Sequence, residues 1–80
     1  MKNKLLRIAE LVDAKYAEAQ KAQTGALEMQ QDAIKEFEKT GDSTARLKAG
    51  LGVNMVVTKT AEMAVYKELA AILRQVNEEQ

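Results

Sequence analysis

One turn signal, Thr40-Gly41-Asp42-Ser43, separates two long segments of a chain that contains no proline. Proline interrupts helices, so its absence leaves both segments able to form continuous helices. The sequence therefore predicts an all-α fold, a long two-helix hairpin with a helix over about residues 3–39, a turn at 40–43 and a helix over about 44–77. Because 80 residues support only one small core, we expect a single domain over 1–80.

The residues of this turn have the types that end one helix and begin another. Gly41 can adopt the left-handed conformation that closes a helix, and Asp42 or Ser43 can accept hydrogen bonds from the first amides of the next helix. Lys39 places a positive charge at the negative end of the first helix.

Apolar residues of the first segment recur in steps of three and four, as on one face of a helix. This stripe consists of Leu5, Ile8, Val12, Tyr16, Ala19, Gln23, Leu27, Gln30, Ile34 and Phe37. A glycine inside a helix costs about 1 kcal/mol relative to alanine, so the first helix is weakest, and open to a kink, near Gly25. We favour one helix with a soft centre over two helices.

The second segment carries a similar stripe, which we assign to the contact with the first helix. Its members are Leu47, Leu51, Asn54, Thr58, Ala61, Val65, Leu69, Ile72 and Val76. Over residues 50–57, however, apolar side chains point all round the helix, so a second partner is needed there. We predict an oligomer or partner interface formed by Leu51, Val53, Asn54, Val56 and Val57.

Small residues form a separate row at Ala45, Ala49 and Gly52, where another helix can approach closely. Asn54 lies on the apolar stripe, and one buried amide can fix the register of a helical interface; the alternative is a polar residue tolerated near the surface. A chain this short usually needs a disulfide, a structural metal or a partner subunit. With neither Cys nor His available, we expect self-association to complete a helical bundle, with no cofactor and no metal.

Charge and residue types argue against most other functions. Twelve basic residues balance twelve acidic ones, so no strongly positive surface for nucleic acid is expected. Glu28, Asp32 and Glu36 follow one another at four-residue steps, and we interpret them as a solvated acidic stripe rather than a metal site. Without His or Cys, nucleophilic catalysis lacks its usual base, and we expect neither an enzyme nor a small-molecule substrate. We expect no cleaved leader, no membrane span and a cytoplasmic protein.

The function that remains is protein interaction. We expect a non-enzymatic, homo-oligomeric helical adaptor, regulator or inhibitor of the kind found among small bacterial and phage proteins. The alternative is a repeated structural subunit of a virion or secretion-type filament. Residues 63–73 resemble the C-terminal helix of type III secretion needle subunits, but the turn lacks proline and residues 78–80 are polar. We therefore do not assign the chain to that family.

Overall fold

The protein is a rod made of two antiparallel helices. The structure, a computed structural model, describes residues 2–79, with side chains from Lys4 onward. Helix α1 spans Lys2–Thr40 and helix α2 spans Ser43–Glu79, and the described residues contain no strand. The predicted all-α hairpin is thus confirmed. The radius of gyration is 17.9 Å, whereas a compact domain of this length is expected at about 12 Å, so the hairpin does not fold back into a globule.

The turn between the helices closes as its residue types predict. Gly41 has a φ of +70°, and its amide donates to the carbonyl of Phe37 at 2.7 Å. Of the two candidate caps it is Asp42 that acts, because its Oδ1 accepts from the amide of Thr44 at 3.0 Å. Its carbonyl also accepts from the amide of Arg46 at 3.2 Å, which is the first hydrogen bond of the α2 turn. The chain thus reverses in two residues.

Helix α1 is continuous through Thr24 and Gly25. The hydroxyl of Thr24 donates to the carbonyl of Gln20 at 3.1 Å, within the same helical turn. Gly25 is exposed, with nothing within 4 Å of the place where a Cβ would stand. The soft centre that the sequence predicts is therefore accommodated without a break in the helix.

The helices meet along a seam of buried and half-buried residues. We define the seam as those residues that follow one another along each helix at intervals of four and three positions in alternation. Alternating steps average 3.5 residues per turn, the repeat of a coiled coil. On α1 the seam consists of Leu5, Ala9, Val12, Tyr16, Ala19, Gln23, Ala26, Gln30 and Ala33. On α2 it consists of Ala45, Ala49, Gly52, Val56, Lys59, Met63, Tyr66, Ala70, Leu73 and Asn77.

Small residues bring the two helix backbones close together. Every buried hydrophobic residue described is an alanine, and Gly52 is buried with them. A Cβ atom on Gly52 would lie 2.9 Å from Cβ of Gln30 and 3.2 Å from the carbonyl oxygen of Ala26. The row of Ala45, Ala49 and Gly52 therefore does permit close approach of a helix, and that helix is α1 of the same chain.

The predicted contact stripe of α2 is wrong. All nine of its members, from Leu47 to Val76, are exposed; Leu47 retains 70% of its accessible surface and Leu51 retains 59%. The seam lies on the other side of the helix, where the small residues are. Ala and Gly give a hydrophobicity pattern little apolar signal, but they allow the closest packing, and that face is the one turned toward α1.

The predicted stripe of α1 is partly right. Six of its ten positions belong to the seam: Leu5, Val12, Tyr16, Ala19, Gln23 and Gln30. The other four, Ile8, Leu27, Ile34 and Phe37, keep 38–40% of their surface and flank the seam. In the sequence, the alanines at seven-residue intervals, Ala19, Ala26 and Ala33, are the feature that locates the seam on α1.

Candidate protein-interaction surface

The side of α2 that faces away from α1 is an exposed, mostly apolar surface. We call it the α2 back face, and helical periodicity assigns to it twelve exposed residues: Leu47, Gly50, Leu51, Asn54, Val57, Thr58, Ala61, Ala64, Val65, Glu68, Ala71 and Ile72. Glu68 is the one charged residue among them. The stretch from Leu47 to Val65, almost three-quarters of the length of the face, is therefore uncharged.

The side of α1 that faces away from α2 has the opposite character. We call it the α1 back face, and its exposed charged residues are Lys4, Arg7, Glu10, Glu18, Lys21, Glu28, Asp32, Lys35, Glu38 and Lys39. Charges of both signs are interspersed along it, as on a solvated helix surface. The two helices thus share one seam but present unlike outer surfaces.

The structure places four of the five predicted interface residues on open surface. Leu51, Asn54 and Val57 lie on the α2 back face, and Val53 is exposed beside it. Val56 is different, because it is half-buried in the seam. Its assignment to the outer surface is therefore wrong, since it sits four residues from Gly52, on the side that meets α1. Asn54 is exposed in this hairpin and contributes nothing to the seam.

Glu28, Asp32 and Glu36 are all exposed on α1. Within residues 2–79, no group of three or more carboxylates comes close enough to hold a metal ion. The described geometry therefore offers no arrangement through which these three side chains could act together on a cation.

A short polar belt crosses the middle of the hairpin. Gln23 Nε2 donates to Thr60 Oγ1 at 2.7 Å, and Thr60 Oγ1 donates in turn to the carbonyl of Val56 at 2.7 Å. Beside it, Lys59 lies in the seam with its ammonium 3.1 Å from Glu62 Oε2. The alanines that recur along the seam do not by themselves set its register, so directional bonds at its centre help to fix it.

A second interhelical link lies toward the open end of the hairpin. The guanidinium of Arg74 donates through both terminal nitrogens to the two carboxylate oxygens of Asp13. This hydrogen bond, together with the positive charge of Arg74, holds the pKa of Asp13 below its ordinary value. Both side chains are substantially exposed, so the ion pair contributes little to the stability of the hairpin.

The hairpin exposes more surface than a monomeric protein of its size. A monomer of 8.8 kDa is expected to expose about 4800 Å², whereas this chain exposes 6045 Å². The excess is about 1200 Å², and a standard protein interface removes about 800 Å² from each partner. The excess follows from the elongated shape of the hairpin, 60 × 14 × 12 Å, and it is larger than the area that one partner loses in a standard interface.

Within residues 2–79, neither helix has an apolar stretch of the length needed to cross a membrane. Comparison of the chain with protein-family models, with curated proteins and with solved structures gives no match.

Proposed function

We propose that this protein is a non-enzymatic protein-interaction module that self-associates and acts as an adaptor, regulator or inhibitor. The observation that carries the proposal is the α2 back face, which is long, exposed and uncharged except at Glu68. Contiguous apolar surfaces of this kind are characteristic of interaction sites.

The weakness of the internal core supports the proposal. Among the described residues, the buried hydrophobic ones are six alanines, each of which removes little apolar area from water. The larger apolar side chains of α2 are the ones left outside, including Leu47, Leu51 and Val57. A chain without Cys or His lacks the disulfides and the usual zinc ligands that stabilise other small folds, so a partner subunit is the remaining means.

The shape of the surface favours a protein over a small ligand. From Leu47 to Ile72 the α2 back face extends about 38 Å at 1.5 Å per residue. This length suits contact with a helix of another protein chain. Small-molecule sites are concave and bring several polar groups together. The hollows on this face are lined by α2 alone, and the larger, of 680 Å³, lies between Ser43 and Asn54.

The unlike outer surfaces bear on the alternative of an open-ended assembly. A filament requires two different surfaces that fit each other, whereas a closed dimer uses one surface twice. Here the long uncharged surface lies on α2, whereas the α1 back face is charged along its length and Leu11 is its one large exposed apolar residue among those described. This asymmetry favours a closed oligomer joined through α2 over a repeated filament or virion subunit.

A charge placed on each outer surface in turn tests the proposal. We expect Val57→Glu to put an unpaired charge into the interface and to dissociate the oligomer, at a cost of several kcal/mol. The matched control is Ala17→Glu, because Ala17 is exposed on the solvated side of α1. Sedimentation should give a lower mass for Val57→Glu and an unchanged mass for Ala17→Glu. An unchanged oligomer in Val57→Glu would contradict the proposal.

A further inference from the structure

We infer that the α2 back face is covered by α2 of a second copy of this chain, packed antiparallel to the first. The inference rests on the proposed function and specifies the partner and its orientation. In this arrangement the two α2 helices form the centre of a four-helix assembly, and the two α1 helices lie outside.

The difference between the helices fits this placement. A helix that is apolar all round is typical of a buried position, and one with a single apolar stripe is typical of a surface position. Helix α2 has apolar residues both on the seam and on its back face, where Leu47, Leu51 and Val57 are exposed, whereas α1 has a charged back face. With α2 at the centre, each helix is surrounded by the environment that its residues require.

Charge decides the relative direction of the two α2 helices. From Ser43 to Thr58 the helix carries two basic residues, Arg46 and Lys48, and no acidic one, and the next two charges, Lys59 and Glu62, pair with each other beside the seam. From Met63 to Glu79 it carries three acidic residues, Glu68, Glu78 and Glu79, against Lys67 and an Arg74 that is paired with Asp13 of α1. Each α2 is thus positive toward its start and negative toward its end.

An antiparallel pair sets the positive half of one helix beside the negative half of the other. It also opposes the two helix dipoles, which a parallel pair would align. A parallel pair would set the two basic halves together and would place Glu68 next to Glu68 of the second copy. Complementary charge across an interface selects orientation, and like charges penalise the wrong one.

The extent of the face sets the approximate register. Superimposing the stretch from Leu47 to Ile72 on itself in the reverse direction puts the twofold axis between Thr58 and Ala61. Leu47 then lies at the level of Ile72 of the second copy, and Leu51 at the level of Glu68. The small residues Thr58 and Ala61 at the centre allow close approach, as Gly52 does on the other side of the helix.

Disulfide cross-linking tests this arrangement directly, because the natural chain has no cysteine. Two cysteines can be joined when their Cα atoms lie within about 7 Å. Thr58→Cys is expected to cross-link to itself, since residue 58 lies about three residues, or about 4.5 Å along the axis, from its counterpart. Leu51→Cys is expected not to, because its counterpart lies about 26 Å away along the axis. Mixing Leu51→Cys with Glu68→Cys should restore cross-linking.

The outcomes separate this inference from the proposed function. Efficient self-cross-linking of Leu51→Cys would show a parallel pair and overturn the inference, while leaving the interaction module intact. An oligomer in which none of these cysteines cross-links would overturn this pairing of the two α2 helices, and Val57→Glu would then show whether the α2 back face is the interface at all. If sedimentation of the unmodified protein gave a monomer at every concentration, the proposed self-association would fail before orientation was in question.

Discussion

The two faces of α2 do not follow the simple rule that the largest apolar side chains are the ones buried. The face against α1 is built on Ala45, Gly52 and Ala70, which are buried. The face away from α1 carries Leu47, Leu51 and Val65, each of which keeps more than half of its surface. The difference teaches that closeness of approach, and not side-chain size, selected the intramolecular contact, and that larger apolar side chains of α2 stay exposed in the hairpin.

The largest expected effect on stability comes from shortening a large side chain on the α2 back face. In an isolated hairpin, Leu51→Ala should cost less than about 0.5 kcal/mol, because surface substitutions seldom cost more. If a second copy covers the residue, the cost should approach the 2–5 kcal/mol of a core Leu→Ala change. Thermal unfolding at high protein concentration should show the larger loss.

Leu11 provides the matched control, since it lies on the solvated side of α1 and keeps 67% of its surface. Leu11→Ala should leave the thermal midpoint almost unchanged under the same conditions. Equal, small effects of Leu11→Ala and Leu51→Ala would remove the distinction between the two outer surfaces.

A smaller effect on stability is expected from adding one methyl group to α2 within the seam. Gly52→Ala should destabilise the hairpin by about 1–3 kcal/mol, because the new Cβ would meet Gln30 and force the backbones apart. Gly25→Ala, with open space at its Cβ position, should instead stabilise by up to about 1 kcal/mol through helix propensity. Denaturant unfolding measures both. The same sign for the two changes would contradict close packing at Gly52.

These contrasts explain how far the sequence could be interpreted. The absence of proline and the Gly41-Asp42 turn were sufficient to predict the hairpin, because helix termination depends on local chemistry. Apolar periodicity did not predict which face of α2 contacts α1, since both faces of the helix are apolar. The spacing of the residues does distinguish the two faces. Successive seam residues alternate strictly between intervals of four and three, whereas the exposed stripe from Leu47 to Val76 departs from that alternation after Val65.

A modest effect is expected at the polar belt. Thr60→Val removes the hydroxyl that accepts from Gln23 and donates to the carbonyl of Val56. We expect a loss of about 0.5–1.5 kcal/mol, the net value of a typical hydrogen bond. Thr24→Val, an exposed position of α1 whose hydroxyl bonds only within its own helix, should cause no comparable loss in the same denaturant titration. A greater loss at Thr24 would mean that the belt does not stabilise the seam.

The smallest expected effect concerns acid. Because the folded state lowers the pKa of Asp13, its carboxylate stabilises the fold above the pKa that it has in the unfolded chain. That contribution is lost as the pH falls through the lowered pKa. Asp13→Asn should therefore be slightly less stable than the unmodified protein at neutral pH, and the difference should shrink in acid. A constant difference between neutral and acidic pH would exclude the ion pair as its cause.

The most direct test of the central claim, that the α2 back face is completed by another copy, is thermal unfolding over a hundredfold range of protein concentration with the mass measured in parallel. For a dimer, mass action over this range amounts to about 2.7 kcal/mol. We predict a midpoint that rises by about 5–10 °C with concentration, and a mass of at least twice 8.8 kDa. A constant midpoint together with a mass of 8.8 kDa would contradict the account.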